Sequence, residues 1–472
     1  GTVVLLLALR AIGADIDYLV PHRVDDGYGL KSRGVNRAHK KGAKVLIAVD
    51  CGTTDCVAAA RARELGIDLI IVDHDEPGDE IPQATAILNP RLPDAGYPEH
   101  DMAAVGVAFK LARGVLERHP RGLRGTTLLK LVALGTVADM VPLTGENRVI
   151  AYHGLQTMGE TVNPGLRALM DFSGVRGHIT STDIGFRIAP RINAVGRIGH
   201  PKDAVEMFLA DDPGEARRLA ELLHKTNVKR KKIQDKVVDE ALKQKPSDTA
   251  SVVVAAGEWN RGVIGIVAAR LVQEWGRPAV VIAIDETGAV GSARSIPGFD
   301  IVGALRKVAD LLEEFGGHPQ AAGVTIRAEN VEPLREALAL AGGKELELAM
   351  RHSEEITCDA ELEFENSLSY LARELERLGP FGIGNPQPRL LCRDLRVESQ
   401  RVLKGQHLKL RVACGKQSVD AIAWRRSELA EDLTEGTRFD AVAELTINKW
   451  AGRSDPQLEL LEVNVDGPVT IA

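Results

Sequence analysis

Lys44-Val-Leu-Ile-Ala-Val-Asp50-Cys-Gly52 and Leu69-Ile-Ile-Val-Asp73-His-Asp75 are the two stretches that decide how this chain folds. Each is a short apolar run that stops at an acidic residue, and helix-forming residues near 55–65 lie between them. Apolar strands alternating with helices predict a parallel sheet covered on both faces. Working outward, residues 2–12 read as a buried helix and Asp17-Tyr-Leu-Val as a short strand. A polar helix is expected near 33–41, and a mixed helical region runs on to about residue 200.

Towards the C-terminus, residues 203–245 are nearly all helix formers, broken by Asp211-Asp-Pro-Gly214, so a long connecting helix is expected from Glu215. A second α/β unit begins at Ser251-Val-Val-Val-Ala-Ala, with a helix at 263–275, the strand Ala279-Val-Val-Ile-Ala-Ile and a helix at 301–315. Beyond Pro386 the segments 406–413, 418–423 and 457–463 alternate with period two between Gly-containing turns, which predicts a small barrel. The expected class is α/β: a parallel-sheet domain (1–200), connecting helices (201–248), a second, smaller α/β domain (249–345), then a linker and β-barrel (346–472).

With 472 residues, the chain exceeds one ordinary domain, and about three is the prior. A net charge of −7 means that nucleic-acid contact rests on local basic patches, because binding follows the local field. The five cysteines are scattered with no Cys-x-x-Cys pair, which fits a reducing cytoplasm and excludes a zinc ribbon. The apolar opening, Thr2 to Leu9, is too short to span a bilayer and no basic segment precedes it. A soluble cytoplasmic protein is therefore expected. Gly1 is not an initiator Met and the helical pattern starts without a cap, so an upstream segment is expected.

Asp50 and Asp73-His74-Asp75 follow consecutive strands, and in open parallel sheets the ligand crevice lies beyond the strands' carboxyl ends. Carboxylates with one imidazole suit Mg²⁺ or Mn²⁺ better than zinc. A lone Asp here is more often a helix cap, but two adjacent strands ending alike, one with a His, favour metal. Asp139 lies in apolar Leu131-Val-Ala-Leu-Gly-Thr-Val-Ala-Asp-Met, where a carboxylate needs a metal or a buried arginine to offset its desolvation.

These three segments resemble the second, third and fourth motifs of the DHH phosphoesterase superfamily, and Phe315-Gly-Gly-His-Pro-Gln-Ala-Ala-Gly323 resembles its accessory DHHA1 domain. The similarity is to the single-strand-specific exonucleases of that superfamily and covers essentially the whole chain. Asp26-Gly-Tyr-Gly-Leu30, Val105-Gly-Val-Ala-Phe-Lys110, Pro190-Arg-Ile-Asn-Ala-Val-Gly-Arg197 and Pro380-Phe-Gly-Ile-Gly-Asn-Pro386 support it. The resemblance implies that the barrel is an OB-fold, and that Asp50 bridges two ions, Mn²⁺ or Mg²⁺, with His74 and Asp139 each binding one. Ions roughly 4 Å apart polarise the phosphate, generate hydroxide and steady the leaving oxygen. The family's first aspartate motif is expected just upstream of Gly1, and Asp75 stands where the family has a second His. Asp73 and Asp75 are further candidates at this strand end.

Arg191 and Arg197 flank Ile192-Asn-Ala-Val-Gly in what reads as a loop; an arginine fork holds phosphate bidentately, though a lone Arg is usually a surface ion pair. The resemblance assigns a substrate-backbone contact to Arg197. Gly291-Ser-Ala-Arg-Ser295 and Gly316-Gly317-His318 read as small-residue loops that an anion can approach, and the resemblance makes Ser292, Arg294 and His318 nucleotide contacts. Trp259-Asn260 replaces the family's common Trp-His. Lys229-Arg-Lys-Lys232 is either a solvated face or a groove lining. In the barrel, His407, Lys409 and Arg411 alternate with apolar residues, so one strand face is basic; with Trp424-Arg-Arg426 and Lys449-Trp450 it is either a stacking, phosphate-tracking surface or a polar exterior over core tryptophans.

The leading expectation, from the resemblance, is a 5′-to-3′ exonuclease that hydrolyses single-stranded DNA to mononucleotides in repair and recombination. It would act as a monomer, with a single-stranded-DNA-binding protein and a helicase as partners. The alternatives are a phosphodiesterase for short oligonucleotides or cyclic dinucleotides, which the barrel disfavours, and a non-catalytic nucleic-acid-binding scaffold.

Overall fold

The strand endings that carry the acidic residues are built by a small parallel sheet. In the computed structural model, which describes all residues except 22–28, 120–122, 248, 354–356, 366, 451–452 and 466–472 and the side chains of 351–353 and 449–450, strands β1 (Val45–Val49), β2 (Asp68–Val72) and β3 (Ala86–Leu88) lie side by side in that order. Val49 pairs with Val72, and Val72 with Leu88, so all three strands end at one level. Two further bonds, Asp50 N–H to the Val72 carbonyl (2.9 Å) and Asp73 N–H to Leu88 (3.0 Å), carry the ladder one residue past the strands. The helix Cys56–Glu64 packs Ala58, Ala59 and Ala62 against Leu69 and Ile71 on one face. The helix Ala104–Arg118 covers the other, with Val105, Ala108 and Phe109 in the main core beside Val72. Leu166 and Leu169 of that core are fully buried, and each such side chain stabilises the fold by roughly 1.5–3 kcal/mol.

The helix Pro213–Leu242 joins the two α/β units. It starts two residues before Glu215, because Asp212 caps it by accepting the Glu215 N–H (2.8 Å) and Pro213 suits a first helical turn. At about 1.5 Å per residue it is roughly 45 Å long. Its first half buries Leu219, Ala220 and Leu223 in the first core, and its second half buries Val237 and Ala241 against Trp259 and Val263 of the second unit. Strands β4 (Val253–Gly257), β5 (Ala279–Asp285), β6 (Gly288–Arg294), β7 (Leu312–His318) and β8 (Ala321–Ile326) form that unit's sheet in the order β4-β5-β6-β8-β7.

After the short β9 (Ala360–Glu361), five long strands make the barrel: β10 (Arg389–Leu403), β11 (His407–Cys414), β12 (Gln417–Ala423), β13 (Arg438–Trp450) and β14 (Arg453–Asn464). It closes because β10 pairs with both β13 and β11, and β12 with β14. No helix among the described residues is long and apolar enough to cross a membrane.

Several local expectations fail. Residues 17–20 form no strand; no described strand lies beside them, and the segment is tied down instead by Asp17–Lys41 (2.6 Å) and Tyr18–Glu206 (3.4 Å). The helix expected at 301–315 stops at Arg306, and 312–318 pairs as β7 with β8; cross-strand pairing outweighs the helix-forming Leu-Leu-Glu-Glu run, as tertiary context commonly does. The Arg191–Arg197 region is a helix, Ala189–Ile198, with Pro190 in its first turn. Asp26 to Tyr28 and the side chains of Lys449 and Trp450 lie outside the described residues.

Candidate metal centre and phosphate-binding residues

Asp50 leaves β1 with φ +64°, a left-handed conformation unusual for a residue with a Cβ and one that marks functional turns. Met140, directly after Asp139, has φ +62°. Asp139 itself caps the helix Leu129–Ala138, donating its N–H to Gly135 (2.9 Å). These two sharp turns bring both carboxylates to His74: its Nε2 lies 3.4 Å from Asp50 Oδ1 and 3.5 Å from Asp139 Oδ2. The His74 side chain is 16% exposed, against 62% for Asp50 and 38% for Asp139, so the carboxylates face solvent above a mostly buried imidazole.

The charges are coupled. Burial works against a charged His74, but the Asp50 hydrogen bond and the charges of Asp139, Asp50 and Asp75 outweigh it and raise the imidazole to about 9. The bond from His74 holds Asp50 below the usual carboxylate range. Burial pushes Asp139 up, and Asp50 and Asp75 add to it. Asp75 thus contributes negative charge to this corner, where the family pattern has a histidine.

Asp73 does different work. It is fully buried; one oxygen accepts Thr53 N–H (3.0 Å) and Thr53 Oγ1 (2.7 Å), the other His74 N–H (2.9 Å) and Asp75 N–H (3.4 Å). Asn89 Nδ2 completes the network through Thr53 Oγ1 (2.9 Å) and the Asp75 carbonyl (2.8 Å). A carboxylate with both oxygens engaged this way fixes the loop that aims His74. Sequence reasoning missed Thr53 and Asn89, although the strand-end rule applied to β3 leads directly to Asn89.

An imidazole with two hard oxygen donors suits Mn²⁺ or Mg²⁺. Donors about 2.1 Å from one octahedral ion stand about 3 Å apart, close to the spacing around His74 Nε2. Among the described residues no three or more His, Cys, Asp or Glu side chains converge as a finished ion cage does; His74 is the shared vertex of two pair contacts. The three residues therefore fit a divalent ion as part of its shell, the remaining positions taking water or further oxygens.

The phosphate candidates separate. Arg191 is committed inward, to the Phe172 carbonyl (3.0 Å), the Arg187 carbonyl and His224 Nδ1 (3.2 Å), and acts as a tether between helices. Arg197 Nη1 reaches the Gly262 carbonyl (3.4 Å) and lines a cavity of about 450 Å³ with His200, Trp259, Asn260, Arg261 and Asp285. Trp259 Nε1 donates to Glu240 (2.8 Å) and Asn260 Oδ1 accepts the Gly262 N–H (2.9 Å), so both shape the turn.

Ser292 and Arg294 lie on β6 rather than in a loop, because residues 289–294 pair with β5 on one side and β8 on the other, and the two are joined by a 3.2 Å bond. A Cβ on Gly265 would sit 3.0 Å from Ser292 Oγ and 3.2 Å from Arg294 Nη2, so the electropositive first turn of the helix Ile264–Trp275 lies close against both side chains. Gly317 and His318 end β7 rather than forming a loop, with Gly317 opposite Ala322. His318 and Arg294 both pair with Ala321. Cross-strand partners share a face, so an arginine and an exposed histidine stand about 10 Å apart across a floor of small side chains.

In the barrel, Lys409 and Arg411 both bind Asp420 of β12, each at 2.8 Å, so one carboxylate offsets half of the charge on that pair. Trp424 is 53% exposed, edge-on to His407 with centroids 5.1 Å apart, which rules out the core-tryptophan alternative at that position. On the connecting helix Lys229, Lys231 and Lys232 face solvent, whereas Arg230 is buried against Asn227 and Gln234.

Known families account for this layout. The DHH family N-terminal domain matches residues 1–136, the DHHA1 domain 249–341 and the RecJ OB domain 358–462. The single-stranded-DNA-specific exonuclease RecJ of Bacillus subtilis (strain 168) is 38% identical, over 98% of this chain and 59% of that protein. RecJ of Escherichia coli (strain K12) is 34% identical, over 97% of this chain and 84% of that protein. The crystal structure of RecJ from Thermus thermophilus in complex with Mn²⁺ superposes with a TM-score of 0.83 at 30% identity, covering all of this chain and 67% of that one. This chain thus spans little more than half of the Bacillus relative and most of the other two, and it belongs to the RecJ family.

Proposed function

We propose that this chain is the core of a divalent-metal-dependent exonuclease that hydrolyses single-stranded DNA from the 5′ end to mononucleotides, in DNA repair and recombination. The observation that carries the reading is His74 held between Asp50 and Asp139 at the carboxyl ends of a parallel sheet. Asp50, His74 and Asp139 would hold Mn²⁺ or Mg²⁺, which supplies Lewis-acid polarisation of the phosphate and an activated water.

The protein's own groups do the rest. The Asp73–Thr53–Asn89 network fixes the backbone on either side of His74. Ser292, Arg294 and the first turn of Ile264–Trp275 bind a phosphate by hydrogen bonds and helix polarity, with His318 across the Ala321 floor. Arg197, at the junction of the two units, tracks the strand backbone. Trp424 offers an exposed ring on which a base stacks. The parts act as catalytic domain (1–200), connector (201–248), accessory domain (249–345) and strand-guiding barrel (346–472). A single-stranded-DNA-binding protein and a helicase are the partners that such a substrate suggests. The barrel favours long strands over cyclic dinucleotides.

A 5′-labelled single strand incubated with Mn²⁺ is the test. Release of labelled mononucleotide that Asp50→Ala abolishes, with strand binding retained, supports the reading; equal release by Asp50→Ala removes Asp50 from the chemistry.

A further inference from the structure

The segment Pro380-Phe-Gly-Ile-Gly-Asn-Pro386 has no part in the phosphate or stacking sites, yet it is fastened to the catalytic domain at several points. The Leu143 N–H donates to the Ile383 carbonyl at 2.6 Å. Ser181 Oγ donates to the Phe381 carbonyl (2.6 Å), and Arg148 Nη2 to the Leu378 carbonyl (2.5 Å) just before the segment. The segment is folded on itself by reciprocal backbone bonds between Gly382 and Asn385 (2.9 and 3.1 Å), and by Asn385 Nδ2 to the carbonyls of Pro380 (2.9 Å) and Leu378 (3.2 Å).

What it grips is the loop that leaves Asp139. That loop runs from Met140 to Thr144, where the helix Gly145–Met158 begins. A Cβ on Gly382 would lie 2.8 Å from Leu143 Cδ1, and one on Gly384 would lie 3.1 Å from both Pro142 Cβ and Thr144 Cγ2. Gly384 also has φ +74°, so bulk there is excluded twice over. From within the domain, Asn147 Nδ2 holds the Pro142 carbonyl (3.1 Å) and the Asp101 carbonyl (2.7 Å). Met140 sits in a left-handed conformation that persists only if its surroundings over-determine it, and this clasp lies across the loop that begins there. Only Gln387 and Pro388 separate it from β10, which pairs on both sides in the barrel.

We propose that residues 380–386 are a positioning element for the metal ligand Asp139: the barrel's own linker sets the geometry of the metal centre. This rests on the metal reading above. Groups that orient ligands from behind typically change metal affinity by about 10–100-fold when lost.

The test uses the full chain with Gly384→Val, which wedges the clasp off Pro142 and Thr144, and Asn385→Ala, which loosens it without adding bulk. Mn²⁺ binding is followed by the loss of free-ion electron paramagnetic resonance signal, and amide exchange is measured over 140–144. Both variants are expected to keep a cooperative melt, bind Mn²⁺ about tenfold more weakly and exchange faster at Leu143. On a dinucleotide too short to reach the barrel, kcat falls while KM holds. If Gly384→Val fails to fold, Asn385→Ala decides by the same readouts. Folded variants with wild-type Mn²⁺ affinity overturn the clasp alone, whereas a wild-type chain without Mn²⁺ affinity overturns the metal reading and the clasp with it.

Discussion

The imidazole Nε2 of His74 lies 3.4 Å from Oδ1 of Asp50, the residue that ends the neighbouring strand. The imidazole is raised to about 9, and a divalent ion held by the same residues would have to displace that proton. Metal and proton therefore compete. Between pH 6.5 and about 8, Mn²⁺ binding is expected to release close to one proton per site, with less released as pH approaches 9, and to tighten as pH rises. Calorimetry in buffers of different ionisation heat checks this; proton-neutral binding at pH 7.5 contradicts it.

The same contact stabilises the metal-free fold. A group whose pKa is raised on folding contributes fully below its unfolded value, near 6.5 for His, and the contribution is lost as pH rises through its folded value of about 9. The metal-free chain is expected to lose on the order of 3 kcal/mol between those limits, read from denaturant midpoints, and His74→Gln to flatten that dependence.

Thr53→Val is expected to strip Asp73 of its closest donor and Asn89 of an acceptor. Leaving buried polar groups unpaired costs about 1–3 kcal/mol. Mn²⁺ affinity should fall with stability, because Asp73 also holds the His74 N–H; stability lost at unchanged affinity would confine the network to folding.

The two arginine candidates should part company. Arg191→Ala removes bonds to internal carbonyls and is expected to lower stability by about 1–3 kcal/mol with little change in KM for a single strand. Arg294→Ala is expected to raise KM severalfold with a nearly unchanged melt. Thermal melts beside steady-state kinetics distinguish them.

Asp420→Ala releases Lys409 and Arg411 together. Single-strand affinity should rise, with a salt dependence steeper by about 0.7 in log–log slope for each phosphate newly contacted. Trp424→Ala is expected to weaken binding by about 1–3 kcal/mol. Fluorescence anisotropy over a salt series reads both; an unchanged slope in Asp420→Ala would take this strand face out of the interface.

The meeting of Asp50 and His74 at one sheet end was legible in the sequence because its signal is local. A strand end is marked by an apolar run and a following acid, and Asp50 and His74 needed no knowledge of distant packing. The internal bonds of Arg191 were not legible, because its partners, the carbonyls of Phe172 and Arg187, are brought to it only once helices pack. Lys409 and Arg411 were correctly put on one face, but the offset of their charge depends on the β11–β12 register that sets Asp420 opposite Arg411. Gly316-Gly-His318 read as a loop because glycine favours turns; its strand conformation comes from β8. Asp73 was one of two further candidates at the strand end, and the hydrogen bonds that make it brace the loop rest on the Thr53 hydroxyl reaching it across the sheet end.

The most direct measurement is an electron paramagnetic resonance titration of Mn²⁺ into the wild-type chain and into Asp50→Ala, His74→Ala and Asp139→Ala. Saturable binding by the wild type, weakened at least tenfold in each variant while the melt stays cooperative, is the predicted result. Wild-type affinity in all three would contradict the assignment of the metal centre to the ends of β1 and β2 and the end of the helix Leu129–Ala138.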